Sequence, residues 1–224
     1  MGSGGEEGLP GGDASGSRRR QRYYTPYEVS VHNTPQDCWV SFLGGVYDLS
    51  QLIQDNPGRQ AAPIIAAAGA DISHWFDPET GDVRTYVHPD TQLRGEFVHV
   101  HPMWPLTGVD VGALSTSTRL VRVRNVLTGQ EDELEVPSEE TVGEVEARYL
   151  AINAHAASYT WKALARAGGK GGAAPLEWVD LDLSKSLADN GVPDERPAFE
   201  AAGLPGGDAV PVLHVYWNDD LTVA

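Results

Sequence analysis

Apolar and polar positions alternate in short runs along much of this chain, separated by brief stretches of helical spacing. Asp37-Cys38-Trp39-Val40-Ser41-Phe42-Leu43 alternates as a strand, Gly44-Gly45 turns it, and Val46-Tyr47-Asp48-Leu49 returns as a second strand. Upstream, Thr25-Pro26-Tyr27-Glu28 predicts a helix start. Threonine stands at the N-cap, proline at the first helical position, and Glu28 three residues on closes a capping box. That helix is expected to end near His32-Asn33. Ser50 is expected to cap a helix over Gln51 to Asp55, and the apolar run 61–69, with Pro63 in its first turn, predicts another. Phe97-Val98-His99-Val100-His101 alternates again like a strand.

A new pattern starts at Thr118. Leu127-Thr128-Gly129 reads as a hairpin turn, and Leu134 and Val136 alternate with Glu133 and Glu135 as in a half-buried strand. Thr141 with Glu144 forms a second capping box, and Val142, Val145 and Tyr149 fall on one helical face. Val121 and Val123 have the opposite parity to Val126, which predicts a bulge in the first strand of this half. Val210 to Trp217 reads as a closing, central strand. The pattern gives an α+β chain in four parts: a tail over 1–22, a domain over 23–101, a Pro- and Gly-bearing linker over 102–117, and a second domain over 118–224. Gly168-Gly169-Lys170-Gly171-Gly172 and the stretch 193–207 read as flexible loops. The former lacks the Gly-Lys-Ser/Thr ending of a phosphate loop.

Charge narrows the partners. The formal net charge of −16 opposes nonspecific association with DNA, RNA or anionic membranes. The single cysteine, Cys38, excludes an internal disulfide and favours a reducing, cytosolic compartment. No apolar run approaches the roughly 20 residues of a membrane span, the Gly-rich start has no apolar signal core, and the chain ends in a polar DDLTVA. Against the acidic background, Arg18, Arg19, Arg20 and Arg22 form a basic run, read either as a solvated tail or as a clamp on an acidic partner. No hydrolase elbow, metalloprotease motif or cysteine pair is present, and the expectation is that the protein is not an enzyme.

The stretch Tyr23 to Pro78 resembles the heme-binding core of the cytochrome b5 family. Val46-Tyr47-Asp48-Leu49 matches the family's hairpin letter for letter, and Gly69-Ala70-Asp71-Ile72-Ser73-His74-Trp75-Phe76 resembles its Gly-Gly-Asp-Ala-Thr-x-x-Phe. Asn56-Pro57-Gly58-Arg59 stands where the family has His-Pro-Gly-Gly. The resemblance therefore implies an axial histidine replaced by asparagine, a weak iron ligand beside imidazole. The second axial station, about five residues after Phe76, falls on Thr80-Gly81. His74 and His88 lie nearby and are the candidate heme-iron ligands, each with a structural role as the competing reading. The expected cofactor is none, with heme b as the alternative.

The second half resembles a ubiquitin-like β-grasp domain in register from Leu127 to Tyr149, without a terminal di-glycine. It is read as a docking module rather than a modifier. Taken together, DISHWFDPETGDVR, NAHAASYTWK and YWNDDLT make the chain similar to a family of two-domain proteins, a cytochrome b5-like domain followed by a ubiquitin-like one. That resemblance implies a protein of the cytoplasm and of motile cilia and flagella, associated with the radial spokes of the axoneme. Its implied partners are axonemal proteins, with neither nucleic acid nor membrane among them. The implied role is a docking component contributing to regulation of ciliary beating. The alternative is a heme-dependent redox sensor using His74 and, with it, His88. Trp104, Trp161, Trp178 and Trp217 are candidate interface anchors, with core filling as the competing reading.

Overall fold

The computed structural model describes residues 22–59, 61–96, 108–166 and 175–218. The first unit is built on a five-stranded sheet. Its strands are β1 (Tyr23–Tyr24), β2 (Asn33–Thr34), β3 (Asp37–Phe42), β4 (Gly45–Asp48) and β7 (Val109–Leu114), in the order β1-β7-β4-β3-β2. A separate hairpin pairs β5 (Thr85–Val87) with β6 (Arg94–Glu96).

Helix α1 (Pro26–Val31) starts as its sequence dictates. Thr25 Oγ1 accepts the Glu28 N–H at 3.1 Å and Glu28 Oε2 accepts the Thr25 N–H at 2.8 Å. The turn between β3 and β4 places Leu43 at φ 45° and Gly44 at φ 83°. Leucine in that region is strained, and its N–H is held by Ser73 Oγ at 2.9 Å. At α2 (Ser50–Asp55) the N-cap is Leu49, one residue earlier than expected, and its side chain makes no capping bond. Asp48 Oδ1 accepts the Ser50 N–H at 2.8 Å, while Ser50 Oγ accepts the Cys38 N–H at 2.9 Å. Helix α3 (Ala62–Ala66) is shorter than the apolar run suggests. The chain turns out at Gly69, φ 80°, whose N–H reaches Trp39 O at 2.7 Å.

The stretch expected to be a linker contributes a strand instead. β7 pairs antiparallel with β4 and parallel with β1. Val109 and Val111 alternate, but Gly112 at a register shift masks the pattern in the sequence. Residues 97–107, with the expected strand around His99 and His101 and the candidate anchor Trp104, lie outside the described residues, as do Arg18, Arg19 and Arg20 and the Gly-Gly-Lys-Gly-Gly run.

The second unit has five strands and a helix packed on one face. β8 (Thr118–Asn125) and β9 (Glu131–Pro137) form a hairpin, followed by α4 (Val142–Tyr149). β10 (Tyr159–Arg166), β11 (Leu176–Asp180), α5 (Arg196–Ala201) and β12 (Val212–Trp217) follow. The sheet order is β11-β10-β12-β8-β9, with β12 central and parallel to β8. Val142, Val145 and Tyr149 of α4 meet Val121, Val123, Val136, Trp161 and Leu213 in one core.

Two expectations fail here. The β8–β9 register runs without a break from Thr118↔Pro137 to Arg124↔Glu131, so there is no bulge. Val126 lies beyond the strand in an exposed turn, and Asn125 takes the last inward position, donating to the Tyr159 hydroxyl at 3.2 Å. The stretch 193–207 holds a helix and the start of a 3-10 turn rather than a loop. It is pinned where Arg119 donates to Pro193 O at 2.9 Å and Arg196 to Thr118 O at 2.8 Å.

Candidate functional site

The site that the first unit would offer to a porphyrin lies about α2, α3 and the 3-10 turn Ser73–Trp75. Leu49, Ile53, Ile64, Ile72, Trp75 and Phe76 are buried in one cluster with Cys38, Val40 and Phe42. The Phe42 and Phe76 rings meet edge to face at 4.4 Å. Ile64 and Phe76, which could line a cavity or fill it, thus pack into the core themselves.

Asn56 sits at the C-terminal end of α2, exposed, and its side-chain amide donates to Leu52 O at 3.0 Å. The residue at the axial station therefore finishes its own helix. Gly58 takes the positive φ of the turn, 122°, and Arg59 is not among the described residues with φ in that region. At the other station, Thr80 and Gly81 close a turn that Asp77 caps, its Oδ1 accepting the Glu79 N–H at 2.9 Å.

His74 is exposed in its 3-10 turn, with its ring edge-on to Trp75 at 6.0 Å. His88 is half-buried at the β5–β6 turn, where its Nδ1 accepts the N–H groups of Asp90 and Thr91 at 3.3 and 3.4 Å. Neutral His88 therefore carries its proton on Nε2. Ligation through Nε2 would move that proton to Nδ1, where it would face two N–H donors. A heme held between two imidazoles does not fit this donor set: neither axial station has one, and His88 is built into a turn. His32 is likewise engaged, stacked on Trp39 at 3.7 Å with Nδ1 2.7 Å from Asp37.

Cys38 is fully buried, and that burial, with Asp48 and Asp37 beside it, pushes its thiol up to about 11. The expectation of a core cysteine rather than a nucleophile matches this placement. Among the described residues no group of three or more His, Cys, Asp or Glu side chains could hold a metal ion, and no helix is long and apolar enough to cross a membrane.

The tryptophans separate. Trp161 is 1% exposed, inside the second core, with its indole N–H donating to Glu146 Oε2 at 2.9 Å; it cannot anchor a partner. Trp217 is half-buried against the same core, edge to face with Tyr159 at 5.3 Å. Trp178, on β11, is 52% exposed.

Sequence reasoning missed the contact that joins the two units. Arg148 of α4 donates to Glu140 at 2.6 and 2.7 Å, to Tyr23 O at 2.9 Å and, from Nη1, to Glu28. Burial works against the Arg148 charge, but the two glutamates outweigh it and hold its pKa above the ordinary value. The neighbouring Glu139 grips the crossover, accepting from Ser115 Oγ and Thr116 N at 2.8 Å. Nothing in the spacing of Glu28 and Arg148 marks them as partners.

Residues 25–94 match the family described as cytochrome b5-like heme/steroid binding domain. The chain is similar to cytochrome b5 domain-containing protein 1 of Xenopus laevis, 46% identical over 91% of this chain and 97% of that one. It is also similar to the protein of that name from Homo sapiens, 41% identical over 91% of this chain and 92% of that one. Among solved structures it resembles the Ectothiorhodospira vacuolata cytochrome b558, a prokaryotic homologue of cytochrome b5. That match is 28% identical over 29% of this chain and 79% of that one, with a TM-score of 0.24.

Proposed function

The chain belongs to the cytochrome b5 domain-containing protein 1 family, and from that membership we propose that it is a non-enzymatic docking component of the motile cilium. It would be held in the axoneme with radial-spoke proteins and contribute to regulation of beating. The observation that carries the loss of b5 chemistry is Asn56, whose amide is bonded to Leu52 O where the family places an iron ligand. The ciliary address rests on the resemblance of residues 71–84, 153–162 and 216–222 to the axonemal family. We read the second unit as a ubiquitin-like β-grasp domain. A hairpin, a helix and three further strands, with the last strand central and parallel to the first, support that reading. The test is retention: a tagged copy should stay with axonemes after detergent extraction, and its release with the soluble fraction would sink the proposal.

A second reading keeps heme. His74 is exposed beside Trp75, at the edge of the cluster that a porphyrin would meet, within the segment matched to a heme/steroid-binding family. A single imidazole would hold heme weakly and favour one oxidation state of the iron. Hemin titration under oxidising and reducing conditions decides: a Soret shift that His74→Ala abolishes supports this reading, and no shift in either condition removes it.

A further inference from the structure

The sheet of the second unit has one face covered by α4 and one turned outward. On the outward face Leu164 stands directly opposite Trp178 across the β10–β11 pair, and Leu176 faces Arg166. Trp178 also meets His214 of β12 at 4.6 Å between ring centres. Leu164, Leu176 and Trp178 are all exposed. The segment between β11 and β12 rises beside them, bringing Pro193, Glu195, Asp208 and Val210 to the rim, and together these residues enclose a groove of about 310 Å³. Isolated exposed apolar residues need no explanation, but aligned ones walled by an ordered insertion do.

Size and charge decide what fits. The volume lies at the lower end of the ~300–1,000 Å³ that small-molecule sites occupy, enough for a few side chains and too little for a large cofactor. On the rest of this face each cation is already answered: Arg122 meets Glu133 at 2.8 Å, Arg124 meets Glu131 at 3.4 Å, and Lys162 meets Asp180 at 3.2 Å. At the groove, Glu195 is taken by Arg166 at 3.0 Å. Among the described residues the Asp208 carboxylate has neither a hydrogen-bond donor nor a cation. An apolar floor with one unanswered carboxylate at its rim calls for aliphatic side chains followed by a cation. A nucleic acid is repelled there, and so is a second copy of a chain with a net charge of −16.

We propose that this groove is the docking site for an amphipathic basic segment of a partner protein, which lays aliphatic side chains on Leu164 and Trp178 and offers a lysine or arginine to Asp208. This names the surface through which the docking role proposed above would act.

The probe is a fluorescein-labelled helical peptide carrying leucines one turn apart flanked by lysines, with a twin in which glutamates replace the lysines, each titrated into the full chain. The lysine peptide binds more tightly; Leu164→Lys weakens it about tenfold or more, and Asp208→Lys reverses the preference between the twins by roughly fivefold. Trp178→Ala serves as a second apolar variant, and thermal melts confirm that each variant is folded. Equal affinity for the twins, or a preference that Asp208→Lys leaves unmoved, overturns the proposal, as does self-association abolished by Leu164→Lys. Retention in detergent-extracted axonemes separates the two levels. If wild type is retained and the Asp208→Lys and Leu164→Lys proteins are retained equally, the groove is not the dock although the docking role stands. If wild type washes out, the docking role falls and the peptide titration still judges the groove.

Discussion

Arg148 and Glu28 lie 120 positions apart in the sequence and form an ion pair between the two units. Glu28 serves twice, its Oε2 closing the α1 capping box and its Oε1 accepting from Arg148. Arg148 also answers Glu140, which is 4% exposed, and the pair sits beside the β1 carbonyl of Tyr23. Deleting the arginine would leave a buried carboxylate without its cation, a change that typically costs about 3–5 kcal/mol. Arg148→Ala should therefore lower the denaturation midpoint strongly, whereas Glu28→Gln, which leaves Arg148 with Glu140, should cost less. Urea unfolding followed by tryptophan fluorescence reads both; equal, small shifts would mean that the contact does not join the units.

Trp161 and Trp178 differ in a way their sequence context does not reveal. Trp161→Ala removes a fully buried ring and its hydrogen bond to Glu146, and should cost about 3–5 kcal/mol. Trp178→Ala, on the exposed face, should change the melting temperature little while weakening the peptide binding described above. A reversed pattern would contradict the division into core and surface.

What was legible in the sequence was local. Both capping boxes were readable because Thr25 with Glu28 and Thr141 with Glu144 satisfy helix-end donors within three residues. The Leu134 and Val136 alternation was readable because successive strand side chains point to opposite faces of the sheet. The strand β7 was not, because Gly112 interrupts its alternation and its partners come from residues far upstream. The Val126 parity misled because it assumed that the strand continued past Asn125, a buried polar residue whose amide donates to the Tyr159 hydroxyl and whose Oδ1 accepts the Leu127 and Thr128 N–H groups of the turn. At the candidate site, sequence located the missing imidazole at Asn56, but only the folded structure shows that its amide caps α2 and that His88 is held by its own turn.

Restoring the residue type at the first axial station should not restore b5 chemistry. Asn56→His supplies one imidazole, but Thr80 and Gly81 remain at the other station. The expected result with hemin is no six-coordinate, low-spin spectrum in either oxidation state. The lost amide bond to Leu52 O should cost about 0.5–1.5 kcal/mol. Appearance of the sharp bands of a bis-imidazole heme in the reduced variant would show that a second ligand is within reach.

Gly69 stands where α3 gives way to the segment bearing His74. Its φ is 80°, and a methyl group there would lie 2.9 Å from Ser30 O of α1. Gly69→Ala therefore combines an unfavourable backbone with a clash against main chain that cannot rotate away, and should cost more than about 1 kcal/mol. Ala70→Gly next to it is the control. A Gly69→Ala protein as stable as wild type would show that α1 and this turn are not packed as described.

Cys38 reports on the first core without perturbing it. Burial first, then Asp48 and Asp37, raise its thiol from 9.0 to about 11, so at pH 8 the reactive thiolate is scarce as well as enclosed. Unfolding returns the thiol to its ordinary range and to solvent. Because the folded-state value is the higher one, the native state binds more protons between 9.0 and about 11. Its contribution to stability is complete below that window and is lost as pH rises through it. Labelling with Ellman's reagent at pH 8 should be slow in buffer and should accelerate in step with the urea transition seen by fluorescence. Native labelling as fast as that of a small free thiol would mean that the strand carrying Cys38 opens readily, and with it the core that Phe42 and Phe76 close.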